Sequence, residues 1–160
     1  MLKEKDSVTI QSNGVEMCIV IISGIALVEN DFGDFHHMVG QRMCPFEKKP
    51  PYSIYISAGN TLKFYAKTDL EVVVGSSPSD KKNNKKSIIL PQEINIEKRG
   101  YGHNQRLVHN ILPDSNKLTD NLIAVEVYTN EGNTSSYPSH KHDETNDQEN
   151  YLEETYYHRF

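Results

Sequence analysis

GNTSSYPSHKHDETNDQENYLEETYYHRF, Gly132 to Phe160, is the stretch from which the rest of the chain is best read, because metal-binding side chains gather there beside a strand pattern. His140 and His142 are two positions apart, so on an extended strand both imidazoles point to one side. After a polar loop, Asp143 to Asn150, the chain resumes as YLEETYYHRF, whose threonine and paired tyrosines favour a strand. On that strand Leu152, Glu154, Tyr156, His158 and Phe160 share one face, and Glu153, Thr155, Tyr157 and Arg159 the other. A carboxylate on a largely apolar face marks Glu154 as a ligand, with His158 an extra donor beside it. Asp143, Glu144, Asp147, Glu149 and Glu153 compete with Glu154, and on the letters alone a solvated His-x-His loop has about equal weight. Two imidazoles and a carboxylate suit a divalent metal ion such as zinc, manganese, iron or nickel.

Bulk properties narrow the classes. A chain of 160 residues is one domain or two very small ones. Its net charge of -5 and the lack of a basic stripe in the strand patterns argue against nucleic acid as a partner. Cys18 and Cys44 lie far apart with no CxxC spacing and read as free thiols in a reducing compartment, with a disulfide left open. Met17 to Val28, the longest apolar run, is broken by Ser23-Gly24, is too short to span a bilayer and lacks the form of a signal peptide, so no membrane partner and a cytoplasmic location are expected.

The first third reads as antiparallel β. Ser7 to Gln11 turns Val8 and Ile10 inward, Asn13-Gly14 is a hairpin turn, and Val15 to Ile22 is a β-branched strand, followed by Ile25 to Glu29. After an Asp31 to Asp34 turn, the adjacent His36 and His37 point to opposite faces and make a poor ligand pair. Gly40 to Pro45 and Tyr52 to Ile56 are expected as a strand pair, Ser57 to Asn60 as a turn, and Thr61 to Ala66 and Leu70 to Gly75 as strands. SSPSDKKNNKK, Ser76 to Lys86, is too polar to bury a core and reads as a linker or exposed loop. Short strands restart at Ser87 to Leu90 and Glu93 to Lys98, and Leu118 to Thr129 is a further β run.

RGYGHNQRLVHNILP, Arg99 to Pro113, concentrates polar groups beside apolar pairs, with glycines at 100 and 102 that permit close backbone approach. Arg99, Arg106 and His109 are its candidate substrate-binding side chains, since a guanidinium binds a carboxylate at two points; pairing of the arginines with protein carboxylates is the competing reading.

These stretches carry a resemblance. Gly132, His140, His142 and Glu154 look like the first cupin motif, G-x(5)-H-x-H-x(3,4)-E-x(6)-G, but seven residues separate the glycine from His140 and eleven separate His142 from the glutamate. SSYPSHKHDE followed by YLEETYYHRF, with RGYGHNQRLVHNILP upstream, closely resembles the 5-deoxy-glucuronate isomerase family of myo-inositol catabolism, in which the long insertion is normal. The resemblance runs with gaps from about Val8 to Phe160, and Thr134 stands where that family tends to carry a large aromatic.

The resemblance implies an all-β, two-cupin chain: a metal-free half over residues 1–77, a linker with connecting strands over 78–98, and the start of a metal-binding half over 99–160 that ends inside a strand. Such a chain is a fragment, a disrupted gene product, or one that closes as a homo-oligomer. The implied activity is metal-assisted interconversion of 5-deoxy-glucuronate and 5-dehydro-2-deoxy-gluconate, an aldose to ketose step on a small sugar acid. A non-catalytic sugar-acid binding module or an inactive fragment is the rival reading. No proton-shuttling base is assigned, since Glu153 faces away from Glu154 on a regular strand.

Overall fold

Antiparallel strands dominate the computed structural model, which describes residues 1–30, 35–80, 85–135, 142–147 and 150–160. The strands are β1 (Ser7–Gln11), β2 (Val15–Ser23), β3 (Ala26–Glu29), β4 (His36–Val39), β5 (Ser53–Ile56), β6 (Thr61–Ala66), β7 (Glu71–Pro78), β8 (Lys86–Ile89), β9 (Asn95–Arg99), β10 (Arg106–Leu112) and β11 (Ala124–Thr129). Single 3₁₀ turns occupy Pro45–Glu47, Pro91–Glu93 and Gly102–Asn104. The fold is therefore all-β, as the sequence implies, and no helix among the described residues is long and apolar enough to cross a membrane.

The chain divides into two compact units, Met1–Ile96 with His109–Glu126, and Glu97–Val108 with Val127–Phe160. In the first unit, β1-β6-β3-β4 and β7-β2-β5-β8 form two four-stranded sheets. Ile19 and Ile21 of β2 meet Val28, Val39, Ile54, Ile56, Leu62 and Phe64 in one buried cluster drawn from both sheets, so the sheets face each other as a sandwich. A third sheet has the order β11-β10-β9.

β2 explains its own apolar sequence. Its odd positions Ile19 and Ile21 enter the inter-sheet core, while Cys18 and Val20 pack with Tyr55, Ile89, Ile94, Ile111 and Leu112 on the opposite face. A strand covered on both sides reads as a near-continuous apolar run rather than an alternation. Residues 111–124, which the sequence groups with the second half, supply part of that cover. Nor is Ser76 to Lys86 only a connector: Ser76–Pro78 complete β7, and Lys86 opens β8, which pairs with β5.

Several expected elements differ. Asn13-Gly14 is not a hairpin turn, because β1 pairs with β6 whereas β2 pairs with β5 and β7; the turn carries the chain from one sheet to the other. Buried Ser12 holds this corner, its hydroxyl donating to the Ser57 carbonyl at 2.7 Å while its amide donates to the Asn60 carbonyl at 2.9 Å. At the open edge of its sheet, β1 leaves Val8 36% exposed and Ile10 only half-buried. Gly40 to Pro45 is not a strand: Gly40 has φ +105°, and a Cβ there would lie 2.1 Å from the Gly24 carbonyl oxygen. Tyr151 to Phe160 forms no regular strand and is exposed throughout. Strand propensity reports fit to a half-buried pleated surface, and no neighbouring strand among the described residues offers that surface.

The two cysteines are free, Cys18 buried and Cys44 exposed. Burial pushes the Cys18 thiol up to about 12, and only the thiolate reacts readily. A disulfide-exchange reagent at neutral pH is therefore expected to modify one thiol, Cys44, in the native protein and the second only after denaturant is added. Rapid modification of both in native buffer contradicts this packing.

Candidate functional site

Two buried polar assemblies stand out in the first unit. Glu16 lies on β2 with no exposed surface. Its Oε2 accepts from the Tyr55 hydroxyl at 2.8 Å and the Asp120 amide at 2.9 Å; its Oε1 accepts from the amides of Asn121 at 2.6 Å and Leu122 at 2.8 Å. Three successive backbone N–H groups thus converge with a phenol on one carboxylate. This also explains why Leu118 to Ile123 is not strand, although the sequence suggests it: amides 120 to 122 go to Glu16 instead of to a ladder. Burial, and then the Glu16 carboxylate, raise the Tyr55 phenol well above its usual range, so it stays a donor.

The second assembly joins Arg42, Glu126 and His109. Arg42 is 1% exposed and meets Glu126 as a two-point pair, Nη2 to Oε1 at 2.6 Å and Nη1 to Oε2 at 2.9 Å. Its Nε donates to the Ile22 carbonyl and its Nη1 also to that of Lys49, each at 2.8 Å. His109 Nδ1 lies 2.9 Å from Glu126 Oε2. A buried guanidinium is tolerable here because its planar fork is matched by a carboxylate and by carbonyl oxygens that water would otherwise serve. Spacing in the sequence provides no signal for this trio, whose members lie on a loop, β10 and β11.

Of the residues singled out in the sequence, His140 lies outside the described residues. His142 has φ +70° and its Nδ1 is 3.2 Å from the Asn150 carbonyl oxygen. Since a carbonyl only accepts, Nδ1–H is the donor in that contact. Glu154 is exposed and accepts from the Tyr156 hydroxyl, which holds that phenol above its usual range. His158 stacks between Tyr156 and Phe160, with centroids 5.9 and 6.1 Å away. Among the described residues no three His, Cys, Asp or Glu side chains gather as a metal site. Of the described donors, only the ring orientation of His142 bears on a metal.

Arg99 and Arg106 belong to the second unit and bond to protein groups: Arg99 Nε donates to Glu97 Oε1 at 2.9 Å, and Arg106 Nη1 to the carbonyl and side-chain oxygens of Asn104 at 3.0 and 2.9 Å. Gly100, with φ +77°, makes that turn: a Cβ there would lie 2.1 Å from the Asn104 carbonyl oxygen. Gly102 has a positive φ but open space around it. His109, assigned above to substrate binding, is in the first unit with no exposed surface.

The KduI/IolB family model matches residues 1–160. The chain belongs to the KduI/IolB family. Within this family it is 46% identical over 145 residues to the 5-deoxy-glucuronate isomerase of Geobacillus kaustophilus (strain HTA426), covering 90% of this chain and 51% of that one. It is 45% identical over 144 residues to the protein of the same name from Bacillus subtilis (strain 168), covering 89% and 52%. The crystal structure of an IolB-like protein from Salmonella typhimurium LT2 has the same fold, with a TM-score of 0.86 at 47% identity over 94% of this chain and 56% of that chain. This KduI/IolB chain thus spans about half the length of the curated relatives it matches.

Two stability predictions follow from the buried assemblies. Glu16→Gln keeps the shape but turns an amide NH₂ toward a donor, and is expected to cost about 2–3 kcal/mol in urea unfolding, against about 1 kcal/mol for Tyr55→Phe. A smaller effect for Glu16→Gln than for Tyr55→Phe contradicts the role given to the three amides. Arg42→Ala strands the Glu126 carboxylate and is expected to cost about 3–5 kcal/mol. Arg42→Lys should recover little of that loss, since an ammonium cannot make the two-point contact.

Proposed function

We propose that this chain is part of a cytoplasmic aldose-ketose isomerase that interconverts 5-deoxy-glucuronate and 5-dehydro-2-deoxy-gluconate in myo-inositol catabolism. The observation that carries the reading is its 46% identity to a named 5-deoxy-glucuronate isomerase across 90% of this chain, within one family. The reaction moves a proton between adjacent carbons while negative charge develops on a neighbouring oxygen. Catalysis therefore needs a group that stabilises that oxygen and a positioned base.

In this proposal the sandwich is the first of two cupin-type halves, and its role is packing. His140, His142 and Glu154 of the second half hold a divalent ion, zinc, manganese, iron or nickel. The chemistry such an ion supplies when bound is Lewis-acid stabilisation of the developing charge. The Nδ1 contact of His142 with the Asn150 carbonyl supports the histidine's part, because it orients the ring as outer hydrogen bonds do in metal sites. Arg99 and Arg106 are the proposed partners of the substrate carboxylate, both in the same unit as His142 and Glu154. Each already holds a protein acceptor, so a substrate carboxylate has to displace or share that contact. His109, buried in the first unit, is instead a positioning residue for Glu126.

A non-catalytic sugar-acid binding module, for which Arg99 and Arg106 in the second unit serve equally, is the second reading. Elemental analysis of the purified chain beside His140→Ala, His142→Ala and Glu154→Gln tests the metal site, with metal expected in the parent and a loss in each variant. Equal content in all four excludes these ligands. Replacing His36 and His37 together should leave the metal unchanged. Turnover of an aldehydic uronate, followed as ketose formation, separates isomerase from binding module: saturable binding with no ketose assigns the chain to the second reading.

A further inference from the structure

Asn-Gly occurs once in the sequence, and at Asn13-Gly14 both residues are exposed in the corner between β1 and β2. A two-residue hairpin of that composition has positive φ at both residues and joins two strands that pair with each other. This corner has neither feature. Among the described non-glycine residues only Lys5, Lys48 and His142 have positive φ, so Asn13 does not, while Gly14 has φ +69°. Its two strands pair elsewhere, β1 with β6 and β2 with β5 and β7. No hydrogen bond engages the Gly14 N–H or the Asn13 carboxamide among the described residues. The flanks are fixed all the same: the Ser12 carbonyl accepts from the Gly59 amide at 2.7 Å, and the Gly14 carbonyl from the Ser79 amide at 3.2 Å. Other asparagines differ. The carboxamides of Asn60, Asn104, Asn116, Asn121 and Asn133 all bond to protein groups. The amide that follows Asn133 is engaged too, Thr134 donating to the His103 carbonyl at 2.8 Å.

A backbone nitrogen next to an asparagine can close a five-membered ring on that side chain, an intramolecular attack in which proximity replaces collision. Glycine shields the nitrogen least, having no Cβ, and a Cβ placed on Gly14 would meet nothing within 4 Å, so no neighbour crowds the approach. We propose that Asn13 is a self-modification site, where the native chain converts its own asparagine to isoaspartate and so loosens the corner between the two sheets. The Gly14 nitrogen gives its proton to hydroxide and bonds to Asn13 Cγ. The Cγ–NH₂ bond then breaks, and the amine takes a proton from water and leaves as ammonia. The resulting succinimide adds one water. Opening at Cγ leaves aspartate; opening at the main-chain carbonyl carbon breaks the original peptide bond and leaves isoaspartate, in which the chain runs through Cβ. Water is the only other reactant, and no electrons are transferred. Isoaspartate adds one main-chain carbon between the Ser12 and Gly14 carbonyls, both of which are engaged. Aspartate adds charge but leaves the main chain as it was.

The site is independent of the metal site and of isomerisation. The test incubates the chain at mildly alkaline pH, native and unfolded in urea, and follows the peptide that holds residue 13 by mass spectrometry. The native rate of NH₂-to-OH exchange at residue 13 is expected within about tenfold of the unfolded rate and to rise with hydroxide. Most of the product should resist an endoprotease that cuts before aspartate but not before isoaspartate. Asn13→Gln, whose ring would be one carbon larger, should abolish the exchange in that peptide. A native rate more than tenfold below the unfolded rate overturns the proposal, and so does exchange in that peptide that survives Asn13→Gln. The loosened corner is read from the isoaspartyl form, separated by ion exchange, beside Asn13→Asp. The folding equilibrium constant is expected to fall at least tenfold in the isoaspartyl form and to change less than threefold in Asn13→Asp; equal stability of the two overturns the loosening. Should either variant fail to fold, the native and unfolded rates of the unmodified chain still decide.

Discussion

The Glu16 carboxylate is the interaction on which the first unit most depends. It brings Tyr55 of β5 and the amides of 120 to 122 onto β2 with four hydrogen bonds to one buried group. Without them the buried Glu16 carboxylate would lack partners, and a lost partner costs more than a made bond stabilises. The loop that Glu16 holds carries Leu118, Leu122 and Ala124 against Cys18, Tyr55 and Ile111, covering the outer face of the β2 sheet. One charged side chain therefore sets where an apolar layer closes.

Arg42 and Glu126 apply the same logic at the other end of that sheet. Glu126 is the inward carboxylate of β11, and two guanidinium nitrogens with the His109 ring set the rotation of that strand about its axis. Because side chains alternate along a strand, holding Glu126 inward obliges Val125 and Val127 outward. A buried ion pair adds little net stability over an apolar replacement, but it penalises a slip of register by one residue, which would carry its charge to the other face.

The residues proposed for function stand apart in the chain from this framework. The sandwich core is apolar, and the two histidines on β4, His36 and His37, are exposed. The residues proposed for chemistry, His142, Glu154, Arg99 and Arg106, all lie in the second unit. In the sequence, imidazoles paired two apart occur only at His140 and His142.

Most strands could be located from sequence because alternation and glycine-rich punctuation are local: β1 and β6 match the expected bounds, and β2, β5 and β8 differ by a residue at one or both ends. The apolar run of β2 is legible as a strand, but its cover on both faces comes from the structure. Which strands pair is not local. Asn13-Gly14 has the letters of a hairpin, yet the bonds from Ser12 to Ser57 and Asn60 make it a corner between sheets. Leu118 to Ile123 has strand letters, yet its amides meet a carboxylate more than a hundred positions earlier. Tyr151 to Phe160 has them too, and stays irregular where no neighbouring strand among the described residues receives it. Composition and periodicity determine how a segment would lie if partnered; only the tertiary structure decides the partner, because a backbone hydrogen bond depends on what is near in space and not on what is near in the chain.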